Sequence, residues 1–284
     1  MILDTHQHFW KASRGDYHWM TPKVPLLARD YLPEDLRPEL RKAGVTRTIL
    51  VQAAQTPGET EFLLNLAEQT DFVAGVIGWF DLEDSRFPNE FERVRRQHPC
   101  LLGVRPMLQD LPDDRWILRP AVTENLRYLA AQRIPFEFLT YTRHLDSVAE
   151  ALRQAPDLHA VIDHLSKPEV KAGTRQPWAD LMKHLAGFAN LRCKLSGLVT
   201  EADHAQWTPS HLAPYVEHVL EMFGEDRVMF GSDWPVCLLA ASYAEVVNAF
   251  RVVLAPHLGP AGVEKVFCRN GARFYGLTEA NERP

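Results

Sequence analysis

The sequence predicts an α/β protein built as one parallel (β/α)8 barrel, and three observations carry that expectation. Eight short β-rich runs alternate with helical patterns from end to end of the 284-residue chain. Several of these runs are almost continuously apolar, as strands covered on both faces are. Polar, titratable and aromatic groups recur where the runs end, which is where such a barrel builds its active site. A doubly wound open sheet is the competing arrangement, but no glycine-rich phosphate loop follows the first run.

The runs begin near Ile2 (ILDTH), Arg47 (RTILVQA), Phe72 (FVAGVIGWF), Leu101 (LLGVRPM), Pro135 (PFEFLTY), His159 (HAVIDHL), Asn190 (NLRCKLSG) and Arg227 (RVMFGSDW). The segments between them read as helices. Pro33-Glu34-Asp35 opens one, with proline and acids in the first turn, and Gly44 closes it. Thr56-Pro57 is a cap followed by proline at the first helical position. Leu145, Val148, Ala149 and Leu152 form an i, i+3, i+4, i+7 stripe. Similar stripes run through Trp178, Leu181, Leu185 and Phe188, through Val216, Val219, Leu220 and Phe223, and through Tyr243, Val246, Val247 and Phe250. A last short helix follows Pro260. No linker, low-complexity tract or repeat interrupts this order, so residues 1–284 read as one domain. The one long connection, about residues 9–32, carries Trp10, Tyr17, His18, Trp19 and Tyr31. It is expected either as a lid over the barrel mouth or as a surface loop packing its aromatics on the first helix.

Composition narrows the partners. The formal charge is -6, from 37 acidic and 31 basic residues, with no basic block, which argues against nucleic acid. No apolar run approaches a membrane span, and the start of the chain lacks the pattern of a signal peptide. Cys100, Cys193, Cys237 and Cys268 form no C-x-x-C pair, as expected of a cytoplasmic protein in a reducing compartment. The sequence does not fix the oligomeric state.

The run ends hold the chemistry. His6 and His8 lie two residues apart at the end of the first strand, so both imidazoles project to one side. Such a pair grips a metal or a polarised substrate oxygen. The third run ends at Trp79, the fourth at Arg105 with Gln109 beyond, and the fifth carries Glu137. The sixth ends in Asp163-His164-Leu165-Ser166-Lys167, the seventh carries Lys194 and Ser196, and the eighth ends in Ser232-Asp233-Trp234-Pro235. Each has a structural alternative. His164 can be a buried histidine bonded to a carbonyl, Asp233 a turn cap, and Arg105 the partner of Glu137. Asp163 alternates with His164 and is therefore expected to point away from the mouth. Lys194 in an apolar strand must pair or suffer desolvation.

The H-x-H after the first run, I-D-H-x-x-K-P at the sixth, C-K-L-S-G-L-V-T-E-A-D at the seventh and M-F-G-S-D-W-P-V-C at the eighth resemble the amidohydrolase superfamily. They are closest to its sugar-acid lactonase branch, which opens L-fuconolactone- and L-rhamnonolactone-type esters. The resemblance covers almost the whole chain. It implies a distorted (β/α)8 barrel that hydrolyses a cyclic ester without an organic cofactor. It implies a polarising or metal-ligating role for His6 and His8, a partner role for His164, and a general-base role for Asp233. Arg105, Gln109, Lys194, Trp10, Trp79 and Trp234 become the candidates for holding substrate. The metal-rich members carry a bridging lysine or glutamate at strand four and a histidine at strand five. Here those strands offer Arg105 and, at strand five, Glu137, Thr140 and Tyr141, so a two-metal centre is not expected. One Zn2+ or other divalent ion on His6, His8 and Asp233 remains open, as does catalysis without it. A metal-dependent decarboxylase of an aromatic or unsaturated acid, a muconolactone-type lactonase and a non-catalytic sugar-binding barrel are the alternatives.

Overall fold

The computed structural model describes residues 1–277. Eight strands pair in chain order, each parallel to the next. They are β1 (Leu3–Gln7), β2 (Arg47–Val51), β3 (Val73–Gly78), β4 (Leu101–Val104), β5 (Phe136–Phe138), β6 (Ala160–Ile162), β7 (Leu191–Leu195) and β8 (Val228–Phe230). Every strand falls within the run that predicts it, save that β1 extends past ILDTH to Gln7. Closure between β8 and β1 is made at the top by a Gln7–Trp234 bridge. The His8 N–H donates to the Trp234 carbonyl at 2.7 Å and the Asp233 N–H to the His6 carbonyl at 2.8 Å. These two bonds seam together the two strand ends that carry the candidate chemistry.

Helices clothe the barrel. They are α1 (Pro33–Ala43), α2 (Pro57–Glu68), α3 (Phe87–Gln97), α4 (Pro120–Ala131), α5 (Leu145–Gln154), α6 (Trp178–Leu185), the one-turn α7 (Leu198–Glu201), α8 (Pro209–Phe223), α9 (Tyr243–Leu254), α10 (Pro260–Glu264) and α11 (Asn270–Phe274). Local signals set their starts. The Thr56 side chain accepts from the Glu59 N–H to cap α2, and Ser242 and Glu245 form a capping box on α9. Helix α8 begins at Thr208-Pro209 and carries Pro214 inside it. The sequence stripes did not single out α3 and α4. Helix α3 buries only Phe87 and Phe91, and five of its residues are charged.

The main core fills the space between strands and helices. A second apolar cluster of Leu3, Ile49, Val51, Ile77, Val161 and Met229 lies inside the barrel, where Phe274 and Tyr275 from the end of α11 plug it. The Tyr275 hydroxyl donates to Glu137 at 2.6 Å, so this plug meets a buried polar layer directly. The 9–32 segment is pinned down. Trp10 and Tyr31 exchange backbone hydrogen bonds of 2.9 and 3.0 Å, and the Tyr17 hydroxyl donates to Glu59 at 2.8 Å.

Candidate active site

The seam between β8 and β1 brings residues more than two hundred positions apart into contact. The His6 and His8 rings stand 4.9 Å apart, edge to face, and the His6 and His164 rings 4.5 Å apart. Asp233 Oδ1 lies 3.2 Å from His8 Nε2, 3.8 Å from His6 Nε2 and 3.9 Å from His164 Nε2. Asp233 adopts a left-handed backbone (φ 59°), a conformation that Asp tolerates better than most residues. All four side chains are almost fully buried.

His164 is aimed by an unusual stretch of backbone. After β6 the chain makes four consecutive left-handed residues, His164 to Lys167, with φ between 50° and 58°. Each costs about 1–2 kcal/mol for a residue with a Cβ, so the surrounding contacts must hold the turn. Trp178 Nε1 donates to the Leu165 carbonyl at 2.7 Å, and Ser166 and Thr140 share a 2.7 Å hydroxyl bond. Ser196 Oγ lies 2.9 Å from His164 Nδ1. Gly197 leaves the ring its space, since a Cβ there would come within 2.6 Å of His164 Nδ1.

Beneath the histidines lies a buried charge network. Lys194 Nζ is 2.6 Å from Glu137, 3.1 Å from Asp163 and 3.2 Å from His6 Nδ1. Arg105 Nη1 reaches Asp163 at 3.2 Å and His6 Nε2 at 3.2 Å, and Nη2 donates to the Gln52 carbonyl. Arg105 therefore pairs with Asp163, not with Glu137. Asp163 does not point away from the site: it keeps the inward parity of Val161, and the left-handed turn that begins at His164 swings that residue to the same side. Burial opposes the charge on Asp163, but Lys194 and Arg105 hold its carboxyl below the usual range. Burial pushes Glu137 upward, and Lys194 pulls it back. Burial, reinforced by Lys194 and Arg105, drives the His6 pKa well down, and burial does the same to His164, so both rings stay neutral. Burial works against the Asp233 carboxylate too, yet His164 and the hydrogen bond with His8 keep it below the ordinary value and ionised.

Above this network opens a cavity of about 400 Å3. His8, His164, Asp233, Arg105, Gln109 and Trp10 line it. Trp19, Val24 and Leu27 of the 9–32 segment add to one wall. His6 lies just below, in contact with Asp233. The structure does not bring Lys194, Trp79 or Trp234 to this cavity. Lys194 is enclosed under His6, and Trp234 packs against Phe9 and Tyr31 at 6.0 and 5.4 Å. Trp79 lines a larger cavity of about 600 Å3 between α2 and α3, which contains none of the four central residues. That second space is bigger, but the convergent polar groups are in the first.

Three site features were not read as such from the sequence. Asp163 anchors the cations. Asp4 is fully buried and pushed up to about 6 by desolvation; it accepts from the Ser232 N–H, the Ser232 hydroxyl and the Tyr243 hydroxyl, and so shapes the loop leading to Asp233. Lys167 and Glu201 also line the cavity, and both stand inside motifs quoted above without a role. An acid embedded in a strand or at its end was the available signal.

The donor set accommodates one divalent ion. Ligand atoms of His6, His8 and Asp233 all lie within 4.8 Å of one another, as do those of His6, Asp163 and His164. His8 offers the sharpest test of fit. Its Nδ1 sits 2.8 Å from the Val51 carbonyl and its Nε2 3.2 Å from Asp233, so both nitrogens face acceptors. A second ring proton or a cation beside Nε2 satisfies that contact. At His6 Nε2 the Arg105 guanidinium already stands on the lone pair, so an ion there displaces a positive group.

The amidohydrolase family pattern matches residues 3–277. The chain is 38% identical to the L-fucono-1,5-lactonase of Burkholderia ambifaria, over 97% of this chain and 95% of that protein. It is 26% identical to the L-rhamnono-gamma-lactonase of Scheffersomyces stipitis, over 63% of this chain and 56% of that one. An amidohydrolase of Burkholderia multivorans, crystallised with zinc bound, superposes with a TM-score of 0.92 at 34% identity, over 98% of this chain and 100% of that one. With the barrel, the paired histidines and the late aspartate in place, the match over nearly the whole length settles the relationship: the chain belongs to the amidohydrolase family.

Proposed function

We propose that this chain is a lactonase that opens the cyclic ester of a sugar acid, of the L-fucono-1,5-lactone type, to the free hydroxy acid. The observation that carries the reading is the Asp233 carboxylate on the cavity lining, 3.2 Å from His8 Nε2 and 3.8 Å from His6 Nε2, with Arg105 on the same lining. The 38% identity to an L-fucono-1,5-lactonase supports the substrate class.

Water lying between Asp233 and the lactone carbonyl carbon gives its proton to the carboxylate as its oxygen bonds to that carbon. Arg105 and the His8 Nε2 edge face the oxyanion that forms. Preorganised donors of this kind are worth about 3 kcal/mol each. With the Ser196 hydroxyl donating to His164 Nδ1, the proton of that ring sits on Nε2, turned toward the reacting centre. The ring C–O bond then breaks, and Asp233 returns its proton to the leaving oxygen. Gln109 and Trp10 hold the polyol, with the indole against C–H faces and the amide on hydroxyls. The buried Oε1 of Gln109 accepts no hydrogen bond among the described residues. Lys194 acts from below, fixing His6. The 9–32 segment serves as the cover of the mouth. A divalent ion, held by His6, His8 and Asp233, would supply Lewis-acid polarisation of the carbonyl. Arg105 already supplies positive charge at the same place, so exhaustively chelated protein retains turnover. A more than tenfold loss, restored by Zn2+, contradicts that.

The decarboxylase reading lacks a histidine from strand five. His144, the nearest in sequence, is engaged with Tyr141 and Asp114 and does not line the cavity. Among the described residues no helix is long and apolar enough to cross a membrane, and Cys193 and Cys237 are buried thiols, in keeping with a cytoplasmic setting. Incubation with L-fucono-, L-rhamnono- and galactono-lactones in a pH-indicator assay tests the proposal. Acid release supports it. Carbon dioxide release from an unsaturated acid, with every lactone untouched, refutes it.

A further inference from the structure

Part of the cavity lining is polar, and the mechanism above does not use it. It is built by Tyr141 after β5, by Lys167 at the end of the left-handed turn, and by Thr200 and Glu201 of α7. Lys167 is held from behind. Its N–H donates to the His164 carbonyl at 2.8 Å, and its ammonium stands 5.3 Å over the Tyr141 ring. Among the described residues no carboxylate lies within ion-pair distance of it. Glu201 is half-buried, and its backbone carbonyl accepts from the Lys171 N–H at 2.9 Å. No donor among the described residues reaches its carboxylate. One cation and one anion thus face the cavity with unspent hydrogen-bonding capacity.

We propose that Lys167 and Glu201 are specificity-determining residues that read the hydroxyls of the lactone, and that Glu201 turns away lactones carrying a carboxylate. This rests on the lactonase reading. A sugar hydroxyl both donates and accepts, so a donor-only ammonium and an acceptor-only carboxylate fix its orientation between them. The aromatic wall takes the C–H face of the same ring. The charge balance points the same way. The basic groups on the lining are Arg105 and Lys167, against the acids Asp110, Glu201 and Asp233. Three acids against two bases leave an excess of negative charge for a carboxylated lactone to meet, whereas a neutral polyol is indifferent to it. Burial raises the Glu201 carboxyl above its ordinary value, with Lys167 opposing, as expected of an acid whose partner is the ligand.

The test is a ratio. kcat/KM is measured for L-fucono-1,5-lactone and for δ-valerolactone, the same ring without hydroxyls, in wild type, Glu201→Gln and Lys167→Met. Loss of a hydrogen bond to a charged group lowers the preference for the hydroxylated lactone about ten- to hundredfold in each variant, mostly through KM. In Glu201→Gln, discrimination against an aldaric acid lactone falls as well. A preference that stays within twofold of wild type in either variant overturns the assignment. Equal losses on both lactones do so too, because they mark a structural role. A wild type that opens no lactone defeats the lactonase reading and this inference together. A wild type that prefers the hydroxylated lactone, with that preference unmoved by the substitutions, defeats this inference alone.

Discussion

Gly197→Ala, set against Gly173→Ala, isolates what the aim of His164 is worth. Both glycines have φ of +66°, so the backbone cost of a Cβ is the same, about 1–2 kcal/mol. Around Gly173 there is nothing within 4 Å, and that variant carries the backbone cost only. At Gly197 the new Cβ lands 2.6 Å from His164 Nδ1 and 2.7 Å from Cγ. To regain ordinary contact the ring retreats by about 0.8 Å, which pulls Nδ1 off the Ser196 hydroxyl. Overpacking of this kind adds about 1–3 kcal/mol. A displacement near 1 Å among reacting groups costs about a hundredfold in rate. Urea denaturation and lactone turnover measured on both variants separate the terms. The expected pattern is a modest, equal-φ loss in Gly173→Ala with full turnover, and a larger stability loss in Gly197→Ala with kcat down about a hundredfold. If kcat in Gly197→Ala stays within twofold of Gly173→Ala, the position of His164 does not matter to the chemistry.

Lys194→Met leaves Glu137 and Asp163 facing each other without their shared ammonium, and urea denaturation is expected to show a loss of about 3–5 kcal/mol. Adding Glu137→Gln should recover part of it, and a double variant no better than the single one contradicts the pairing. Glu59, buried against Tyr17 and the Ala53 N–H, has its pKa raised by desolvation to about 7 from 4.5. The folded state therefore binds more protons than the unfolded state between those values, and wild-type stability declines as pH rises through about 4.5 to 7. Glu59→Gln removes the Glu59 share of that decline, about 3 kcal/mol across the window, and leaves the shares of Asp4 and Glu137. Parallel stability-versus-pH curves for the two proteins would show that Glu59 is not perturbed.

Strand order and strand position were legible because apolar runs bounded by turn signals report burial on both faces, and parallel pairing in chain order follows from alternation with helices. His6, His8, His164 and Asp233 were legible as a set because each stands at the same end of its strand, and a barrel carries those ends to one rim. The fate of Asp163 was not. Period-two alternation presumes extended backbone, and four left-handed residues from His164 onward break it without a glycine to announce them. The partner of Arg105 was unreadable for the same reason. Trp79 and Trp234 show the reverse failure. Both end strands in sequence, yet one turns outward between two helices and the other packs under the 9–32 segment, and only tertiary contacts decide which face an indole takes. Lys194 was legible as a lysine that must pair, though not as one sealed beneath His6 by two carboxylates.

The central claim is that Asp233 is the base that activates water on the lactone. Steady-state turnover of Asp233→Asn on the best lactone, with folding checked by circular dichroism and urea midpoint, tests it most directly. The isosteric amide keeps the shape and removes the proton acceptor, so kcat is expected to fall about 10²- to 10⁴-fold in a folded protein. Near-wild-type turnover in that variant would place the base elsewhere and leave the cluster around His6 and His8 without its proposed chemistry.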